Sequence, residues 1–434
     1  MVQLNNTFKQ LAVHDGQPAR ATKPQQARPR TKVPAATANA NAFASLPSST
    51  AALLSLLAGL TSSSRRSPAF TPTLQHVKSL LYNKDYLAAF GTDSEQGERW
   101  REVYFARWTP ARAVLYERAF RELGIARILG WGDEHEGRDG GREVSEARRE
   151  RGRARAKRED DDGTREGESV EHRVIMVGAG AGAEIVALGC VLDAATSRRG
   201  PRGSDERRGQ LRPRVRVQAI DQGNWANLVR RMDDSMKTEW SALRTGEDTV
   251  GGGLEIDFVR GDVLSTFAAP PSTTTTTTAT SSDGAPPLTP SLDTPNFDFD
   301  LTCRSLKLVT ICFTITELLL QSRVSTLRFL STLTSSAPRG LHLLIVEGAS
   351  LAVIPIGTSG RTYPLGQLLD HALLGGGGER DGQWDVVESH EGKWYRMPDG
   401  AEAVYNDDVD EGAKKGTRVK LENSRVVLRL YRKR

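Results

Sequence analysis

Seven short apolar segments in the second part of this 434-residue chain have the composition of β-strands. They are rich in Val, Ile and Leu, which is typical of strands buried in a parallel sheet. Helical patterns alternate with the first five segments, and the last two follow one another as strands. This order predicts an α/β fold whose seven-stranded, parallel sheet ends in an antiparallel edge. The predicted strands are His172–Val177, Arg214–Asp221, Leu254–Leu264, Leu306–Phe313, Gly340–Gly348, Trp384–Ser389 and Ser424–Tyr431.

Residues 50–130 carry apolar side chains at helical spacing instead. We expect Thr73 to cap the second of these helices, where its hydroxyl can accept from a free backbone N–H group. The third pattern is interrupted at Thr109, which we expect to cap a new helix with Pro110 in its first position. The pattern therefore predicts a helical extension in front of the sheet. The predicted helical segments are Ala51–Leu57, Leu74–Leu81 and Trp100–Gly124.

Polar and charged segments separate these regions, and we expect them to be disordered. Asp15 is the only acidic residue among the first 76, which makes the amino-terminal tail basic. Such a tail can contact RNA phosphates, carry a nuclear signal, act as a mitochondrial presequence or be passive. The predicted boundaries are 1–49 for the tail, 50–130 for the helical extension, 131–171 for a charged linker, and 172–434 for an α/β domain with disordered inserts near 197–213 and 268–296.

Composition narrows the function only slightly. The net charge of +5 and a pI near 9.1 are compatible with an RNA partner but do not require one. Cys190, Cys303 and Cys312 lie in apolar patterns, with neither a disulfide framework nor the spacing of metal ligands. We therefore expect buried, reduced thiols and no metal. No apolar run is long enough to span a bilayer, so we expect no membrane partner.

A glycine-rich turn follows the first predicted strand and leads directly into a helical pattern. Gly178 and Gly180 can adopt positive φ and leave no Cβ to block a ligand, and Gly182 lets the helix pack close to the strand. Glu184 lies in the first helical turn, where it suits the helix dipole and can reach a ligand's ammonium group or ribose. The turn fits a dinucleotide, S-adenosylmethionine or a purely structural role.

Acidic residues follow the next two strands. Asp221 ends the second strand, where a carboxylate can accept from the ribose hydroxyls of either cofactor class. Its distance from the glycines is roughly twice the usual twenty residues because the insert near 197–213 intervenes. Asp262 and Val263 lie at the end of the third strand in a segment that resembles the methyltransferase position whose carboxylate holds the adenine amino group, although a cap or turn Asp is an equal alternative. The two final strands favour a class I methyltransferase, which is a Rossmann-like fold, over a dehydrogenase.

The chain resembles the fungal nucleolar enzymes that methylate a uridine of large-subunit ribosomal RNA at N(3). Arg107–Arg112 is the most distinctive part of this resemblance. The resemblance implies that S-adenosylmethionine is the methyl donor, that the large-subunit rRNA of the pre-ribosome is the substrate, and that the enzyme is nucleolar. Cytoplasm and mitochondrion are the alternative locations, and we expect a monomer. The matching blocks are Ser67–Gly91 with Tyr104–Ala113, Val177–Glu184 and Cys312–Leu319.

Methylation at N(3) of uracil requires removal of the imide proton, which a general base can accept. Thr314 and Glu317 follow the fourth strand, on the side of the sheet where ligands bind in such folds. We hypothesise that Glu317 or a nearby backbone carbonyl accepts this proton. The alternative is that Glu317 caps or pairs on the following helix.

Aromatic and basic side chains are mixed in the third helical pattern, as they are at sites that stack bases and pair with phosphates. We expect most of the aromatic residues to pack helices together, and Arg107 and Arg112 to be the better RNA contacts. Two other functions stay open. One is a catalytically inactive methyltransferase fold that binds RNA as an assembly factor, and the other is a dinucleotide-dependent oxidoreductase.

Overall fold

A computed structural model of the chain describes residues 46–131, 170–197, 212–244, 252–267, 300–356, 361–374, 383–407 and 418–434. Almost all of the predicted basic tail and charged linker lies outside these residues, as does most of both predicted inserts. The helical extension and the α/β region are therefore the parts whose contacts can be followed.

A seven-stranded, mostly parallel sheet forms the centre of the described chain, with the strand order β3-β2-β1-β4-β5-β9-β8. This is the class I methyltransferase fold, and it confirms the predicted fold class. Parallel pairing joins the first five strands, so their carboxyl ends meet at one edge of the sheet. The strands are β1 Glu171–Val177, β2 Arg214–Asp221, β3 Leu254–Arg260, β4 Leu306–Cys312, β5 His342–Gly348, β6 Val353–Ile356, β7 Arg361–Pro364, β8 Trp384–Tyr395 and β9 Ser424–Lys433.

The sequence predicted that the antiparallel strand would lie at the edge of the sheet. In the structure the antiparallel strand is β9, and it lies second from the edge. β9 pairs antiparallel with both β5 and β8, so β8 is the edge strand and runs parallel to β5. Burial explains the arrangement, because β9 is buried along most of its length whereas β8 is mainly exposed. The small β6–β7 hairpin between β5 and β8 was not predicted at all.

Helices cover both faces of the sheet, and those of the extension all precede β1. In the described ranges, no helix combines the length and apolar character needed to cross a lipid bilayer. The helices are α1 Ser48–Arg66, α2 Phe70–Tyr82, α3 Tyr86–Phe90, α4 Glu95–Glu122, α5 Ile125–Ile128, α6 Ala183–Ser197, α7 Ala226–Glu239, α8 Val263–Thr266, α9 Ile315–Gln321, α10 Arg323–Ser336, α11 Leu365–Leu374 and α12 Ala401–Tyr405.

Two predicted helix starts are wrong. Thr73 lies inside α2, and α4 continues past Thr109 and Pro110 without a break. The Thr109 hydroxyl does not cap a helix but donates to the Ala181 carbonyl in the glycine-rich turn, at 2.9 Å. Pro110 has no N–H group for the carbonyl of residue 106, and the Tyr405 hydroxyl donates to that carbonyl instead, at 2.8 Å. Hydrogen bonds to distant parts of the chain thus satisfy the polar groups around Pro110 and let α4 continue.

The two faces of the sheet contribute to two separate hydrophobic cores. Along β1, Val174 and Met176 join the core that includes α1, α4 and α6. Ile175 and Val177 point the other way, into the core of α9, α10 and α11. The helical extension is therefore packed into the same core as one face of the sheet, and it reaches the edge where the first five strands end.

Candidate active site

The carboxyl ends of the first five strands open into a cleft of about 1190 Å³. One wall comes from α2, α3 and α4 of the extension, and another comes from β8 and the chain before β9. Pockets for a single small ligand usually measure about 300–1,000 Å³. The cleft therefore has room for a cofactor together with part of a larger substrate. The predicted site residues that line it are Gly178, Asp221, Asp262, Val263, Thr314, Glu317, Arg107 and Arg112.

The glycine-rich turn requires glycine for two different reasons. Gly178 and Gly182 have φ of +76° and +68°, which side chains rarely adopt. Gly180 does not have positive φ, contrary to our prediction, but a Cβ there would lie 2.1 Å from Cδ1 of Trp225. A Cβ at Gly178 would likewise lie 2.1 Å from the Thr314 hydroxyl. The turn thus allows the close approach of the chain's own side chains at the base of the cleft.

Asp221 holds this turn against the end of β2. Its Oδ2 accepts from the Gly180 N–H at 3.0 Å, while Oδ1 accepts from the Gly223 N–H at 2.7 Å and from the Trp225 indole at 3.1 Å. Burial raises the pKa of the Asp221 carboxyl, although the three hydrogen bonds oppose this shift. A carboxylate offers about four acceptor positions, so one stays available for a ligand hydroxyl at the cleft surface.

Asp262 has one of the two roles between which the sequence left a choice, that of a helix cap. Its carboxylate accepts from the Leu264 N–H at 2.9 Å and caps α8, as an N-cap Asp does. Asp262 and Val263 also line the cleft next to the end of β3. Contact with a cofactor by these two residues stays a prediction.

Gly180 and Gly182 are buried within the turn and do not line the cleft themselves, and neither does Glu184. Glu184 is 3% exposed and lies within the core, where its carboxylate accepts from the Thr310 hydroxyl on β4. Burial raises the pKa of Glu184 to about 7, although hydrogen bonds from Thr310 and Cys312 oppose the shift. Its role in this structure is to join α6 to the middle of the sheet.

Glu317 lies in the first turn of α9, partly buried at the end of β4. Burial raises the pKa of its carboxyl to about 7, and the nearby carboxylates of Asp221 and Glu347 act in the same direction. The Tyr86 hydroxyl of α3 hydrogen-bonds to Glu317 and, with Arg112, opposes the shift. A carboxyl group that ionises near neutral pH is suited to proton transfer.

The neighbouring Thr314 also lines the cleft, and its catalytic role stays a prediction. Its hydroxyl donates to the Cys312 carbonyl at 3.0 Å, and the residue precedes α9 without a side-chain cap. Thr314 therefore shapes the loop after β4, against Gly178 of the glycine-rich turn.

Arg112 and Phe313 form a pair beside Glu317 that the sequence did not predict. The Arg112 guanidinium donates to the Tyr104 hydroxyl at 2.7 Å and lies 5.0 Å from the centroid of the Phe313 ring. Phe313 has φ of +54°, a strained conformation for a residue with a side chain. Strained residues are frequent in active sites, where the surrounding structure holds them in place.

Arg107 lies further out on α4 and is already paired. Its guanidinium donates to the Lys420 carbonyl at 3.1 Å and forms an ion pair with Glu422. These contacts connect the extension to the segment before β9. Arg107 also lines the cleft, so it can still be reached by a ligand there. Its contact with RNA stays a prediction.

The loop between α3 and α4 closes the cleft beside Asp221, an arrangement with no clear signal in the sequence. Arg260 at the end of β3 pairs with Asp93 at 2.9 Å and donates to the Gly91 carbonyl at 2.7 Å. The Asn224 amide donates to Asp93 at 2.7 Å. Phe90 packs against Trp225, with 5.3 Å between the ring centroids. The extension thus packs over the ends of β2 and β3 through an ion pair, hydrogen bonds and an aromatic contact.

The cleft residues fit the expected methyl donor S-adenosylmethionine. The glycine-rich turn lines the cleft with the half-buried Gly178 and Ala181, and two carboxylates follow β2 and β3 at the cleft surface. Asp221 would hold a ribose hydroxyl and Asp262 an amino group, polar groups of an adenosine moiety. Among the described residues, no group of three His, Cys, Asp or Glu side chains is placed to hold a metal ion.

Replacement of Gly180 by Ala tests the cofactor half of the cleft. The new Cβ would displace the Trp225 ring and press on the Asp221 carboxylate, 2.6 Å away at Cγ. We expect calorimetric titration to show at least tenfold weaker binding of S-adenosylmethionine. Gly59→Ala in α1 is the matched control, because nothing lies within 4 Å of its added Cβ. Equal affinity of folded Gly180→Ala and wild-type protein would contradict this assignment.

Replacement of Glu184 by Gln tests its role in the core. The carboxyl ionises near pH 4.5 when unfolded but near pH 7 when folded, so its contribution makes stability fall as pH rises through this window. Gln cannot ionise, so Glu184→Gln should gain stability over wild type between pH 5 and 8, towards roughly 3 kcal/mol. Urea denaturation at both pH values measures this gain. A constant difference, or a loss of S-adenosylmethionine binding, would show that the assignment is wrong.

Solved structures similar to this chain include two methyltransferases. The 16S rRNA (adenine(1408)-N(1))-methyltransferase from Catenulisporales acidiphilia is 16% identical and has a TM-score of 0.25, with 61% of this chain and 89% of that chain covered. The N-methyltransferase NodS from Bradyrhizobium japonicum, in complex with S-adenosyl-L-homocysteine, is 9% identical with a TM-score of 0.26. That match covers 72% of this chain and 97% of NodS.

Sequence comparison gives a more extensive match. The chain is 25% identical over 368 residues to the 25S rRNA (uridine(2843)-N(3))-methyltransferase of Saccharomyces cerevisiae, a match that covers 83% of this chain and 77% of the yeast protein. The model of a family described as SAM-dependent methyltransferase matches residues 58–432. Because this match includes most of the extension, the glycine-rich turn and almost all of the large sheet, the chain belongs to this family of S-adenosylmethionine-dependent methyltransferases.

Proposed function

We propose that this protein methylates N(3) of a uridine in large-subunit ribosomal RNA during ribosome biogenesis, in the nucleolus. The similarity to the yeast 25S rRNA (uridine(2843)-N(3))-methyltransferase supports the substrate. The observation that carries the chemistry is Glu317, a carboxylate with a pKa of about 7 that lines the cleft at the end of β4. The large volume of the cleft agrees with a nucleotide substrate.

Glu317 is proposed to accept the imide proton of the target uracil. Its partly buried carboxylate ionises near neutral pH, so at pH 7 a large fraction can take up a proton. The Tyr86 hydroxyl hydrogen-bonds to this carboxylate and lowers its pKa. S-adenosylmethionine, when bound, supplies the methyl group as an electrophile. Proton removal by Glu317 leaves an electron pair on N(3), which becomes the attacking nucleophile.

Arg112 is proposed to stabilise the uracil after it loses the proton. The negative charge then spreads to the two carbonyl oxygens of the ring, and a fixed cation with N–H donors lowers its energy. The hydrogen bond to Tyr104 and the ring of Phe313 hold the guanidinium at the cleft surface. The side chain therefore requires little reorganisation during the reaction.

The state of Cys312 favours direct methylation of the ring nitrogen over methylation of carbon 5 through a covalent cysteine adduct. It ends β4 and lines the cleft, where a nucleophilic thiolate would need a low pKa. Burial, with the nearby Glu184 carboxylate, raises the pKa of the Cys312 thiol well above its ordinary value. The side chain is thus a protonated thiol at neutral pH, unsuited to attack on carbon 5 of uracil.

Methyl transfer to ribosomal RNA tests the proposal directly. The full chain is incubated with tritiated S-adenosylmethionine and large-subunit rRNA, and the digested nucleosides are separated and identified by mass spectrometry. We expect 3-methyluridine to carry the label. Label in another nucleoside would overturn the proposed position. Binding of S-adenosylmethionine and RNA without any transfer would instead support an inactive assembly factor.

Replacement of Glu317 by Gln tests the proposed base. A general base contributes roughly 10²- to 10⁴-fold, so kcat should fall by that factor while S-adenosylmethionine still binds. The kcat of the wild-type enzyme should rise with pH and reach half its maximum near pH 7, because the ionised carboxylate is the active form.

Two further variants make this test specific. In Tyr86→Phe the midpoint of the pH profile should move upward, because the lost hydrogen bond lowers the pKa of Glu317 in the wild type. Glu239→Gln, at an exposed position in α7, is the control and should leave the profile unchanged. Full turnover of Glu317→Gln would exclude this residue as the base.

A further inference from the structure

An exposed tryptophan lines the cleft on the wall formed by β8 and the chain before β9. Trp394 in edge strand β8 is 56% exposed, yet it lines the same cleft as Glu317. Large exposed aromatic side chains in such a position often mark a surface that binds a partner. The catalytic groups described above leave Trp394 without a role.

A cation accompanies this tryptophan on the neighbouring strand. Arg425 of β9 is the direct cross-strand partner of Trp394, so the two side chains extend from the same face of the sheet. Arg425 is exposed, and its Nε donates to the Gly392 carbonyl at 3.3 Å. Glu422, the acidic group in this wall of the cleft, is already paired with Arg107. The wall is therefore aromatic and positively charged.

The wall formed by the extension has the same character. Lys78 and Tyr82 are four residues apart on α2, which places them on one face of that helix, and both line the cleft. Tyr82 is 47% exposed. We call Lys78, Tyr82, Trp394 and Arg425 the outer rim of the cleft. Its combination of aromatic faces and cations is typical of surfaces that bind single-stranded nucleic acid.

The chemistry of the proposed reaction explains why such a surface is needed. N(3) of uracil is the atom that donates the hydrogen bond in a base pair with adenine, so the target uridine has to be unpaired when it is methylated. Nucleotides next to an unpaired base expose their own ring faces, which aromatic side chains can stack on. A partner protein without phosphates would not use the cations of the rim in this way.

We infer that the outer rim binds an unpaired nucleotide adjacent to the target uridine, with its base stacked on Trp394 and its phosphate contacted by Arg425. The inference rests on the proposed function, because it assumes an RNA substrate. It assigns recognition of the flanking RNA to a part of the cleft separate from Glu317 and from the glycine-rich turn.

Trp394→Ala in the full-length protein tests this inference. The probe is a fluorescein-labelled single-stranded RNA of about 20 nucleotides that contains unpaired uridines, and binding is followed by fluorescence anisotropy. Loss of one stacked base should weaken binding about ten- to a hundredfold. The affinity for S-adenosylmethionine, measured by calorimetry, should stay the same and shows that the variant is folded. Trp394→Phe should retain most of the RNA affinity.

Two variants complete the design. Arg425→Ala should reduce the salt dependence of RNA binding by about one phosphate contact, which is roughly 0.7 in the slope of log K against log salt. Val387→Ala is the matched control, because Val387 is 49% exposed on the same strand but does not line the cleft. Its RNA affinity should equal that of the wild type.

Unchanged RNA affinity in Trp394→Ala would overturn the inference. If Trp394→Ala also abolished a concentration-dependent dimer, the rim would be an interface between two copies of the chain. Equal loss of affinity for single-stranded and fully paired RNA would also overturn it. The proposed function fails separately: Trp394-dependent RNA binding without formation of 3-methyluridine would leave the rim in place and remove the proposed reaction.

Discussion

The site depends on one carboxylate, that of Asp221, and on the three hydrogen bonds it accepts. These bonds connect the glycine-rich turn after β1, the end of β2 and the indole of Trp225. A buried or partly buried charge is costly unless such donors compensate it, so the three segments are held in one arrangement. Trp225 in turn packs against Phe90 of the helical extension. The position of the extension over the cleft therefore follows from the same contact that shapes the turn.

This arrangement divides the cleft between two parts of the chain. The sheet contributes the glycine-rich turn and the acidic residues at the ends of β2 and β3, which suit a cofactor. The extension contributes Tyr86, Tyr104 and Arg112, all located in the sequence well before the turn. These side chains meet Glu317 and Phe313 at the end of β4. A substrate bound beside Glu317 would therefore contact the extension as well as the sheet.

The sequence predicts what depends on local patterns and misses what depends on distant contacts. The apolar runs predicted all seven strands of the large sheet, and the glycine spacing predicted the turn after β1. The place of β9 inside the sheet was not predictable from strand order alone, although its stronger apolar character was a usable signal. Thr109 has the local signature of a cap, but a hydrogen bond to Ala181 determines its role. Likewise, nothing near Tyr86 in the sequence indicates that Glu317 will be its partner.

Glu184 and Glu317 show why burial alone does not identify a catalytic group. Burial raises the pKa of both carboxyls to about 7, and both accept hydrogen bonds from hydroxyl groups. Only Glu317 lines the cleft, where a substrate proton can reach it. Glu184 is enclosed between α6 and β4, so its raised pKa only lowers the stability of the folded protein as the pH rises. Access to the substrate, and not the size of the pKa shift, therefore distinguishes a candidate base from a structural carboxyl in this fold.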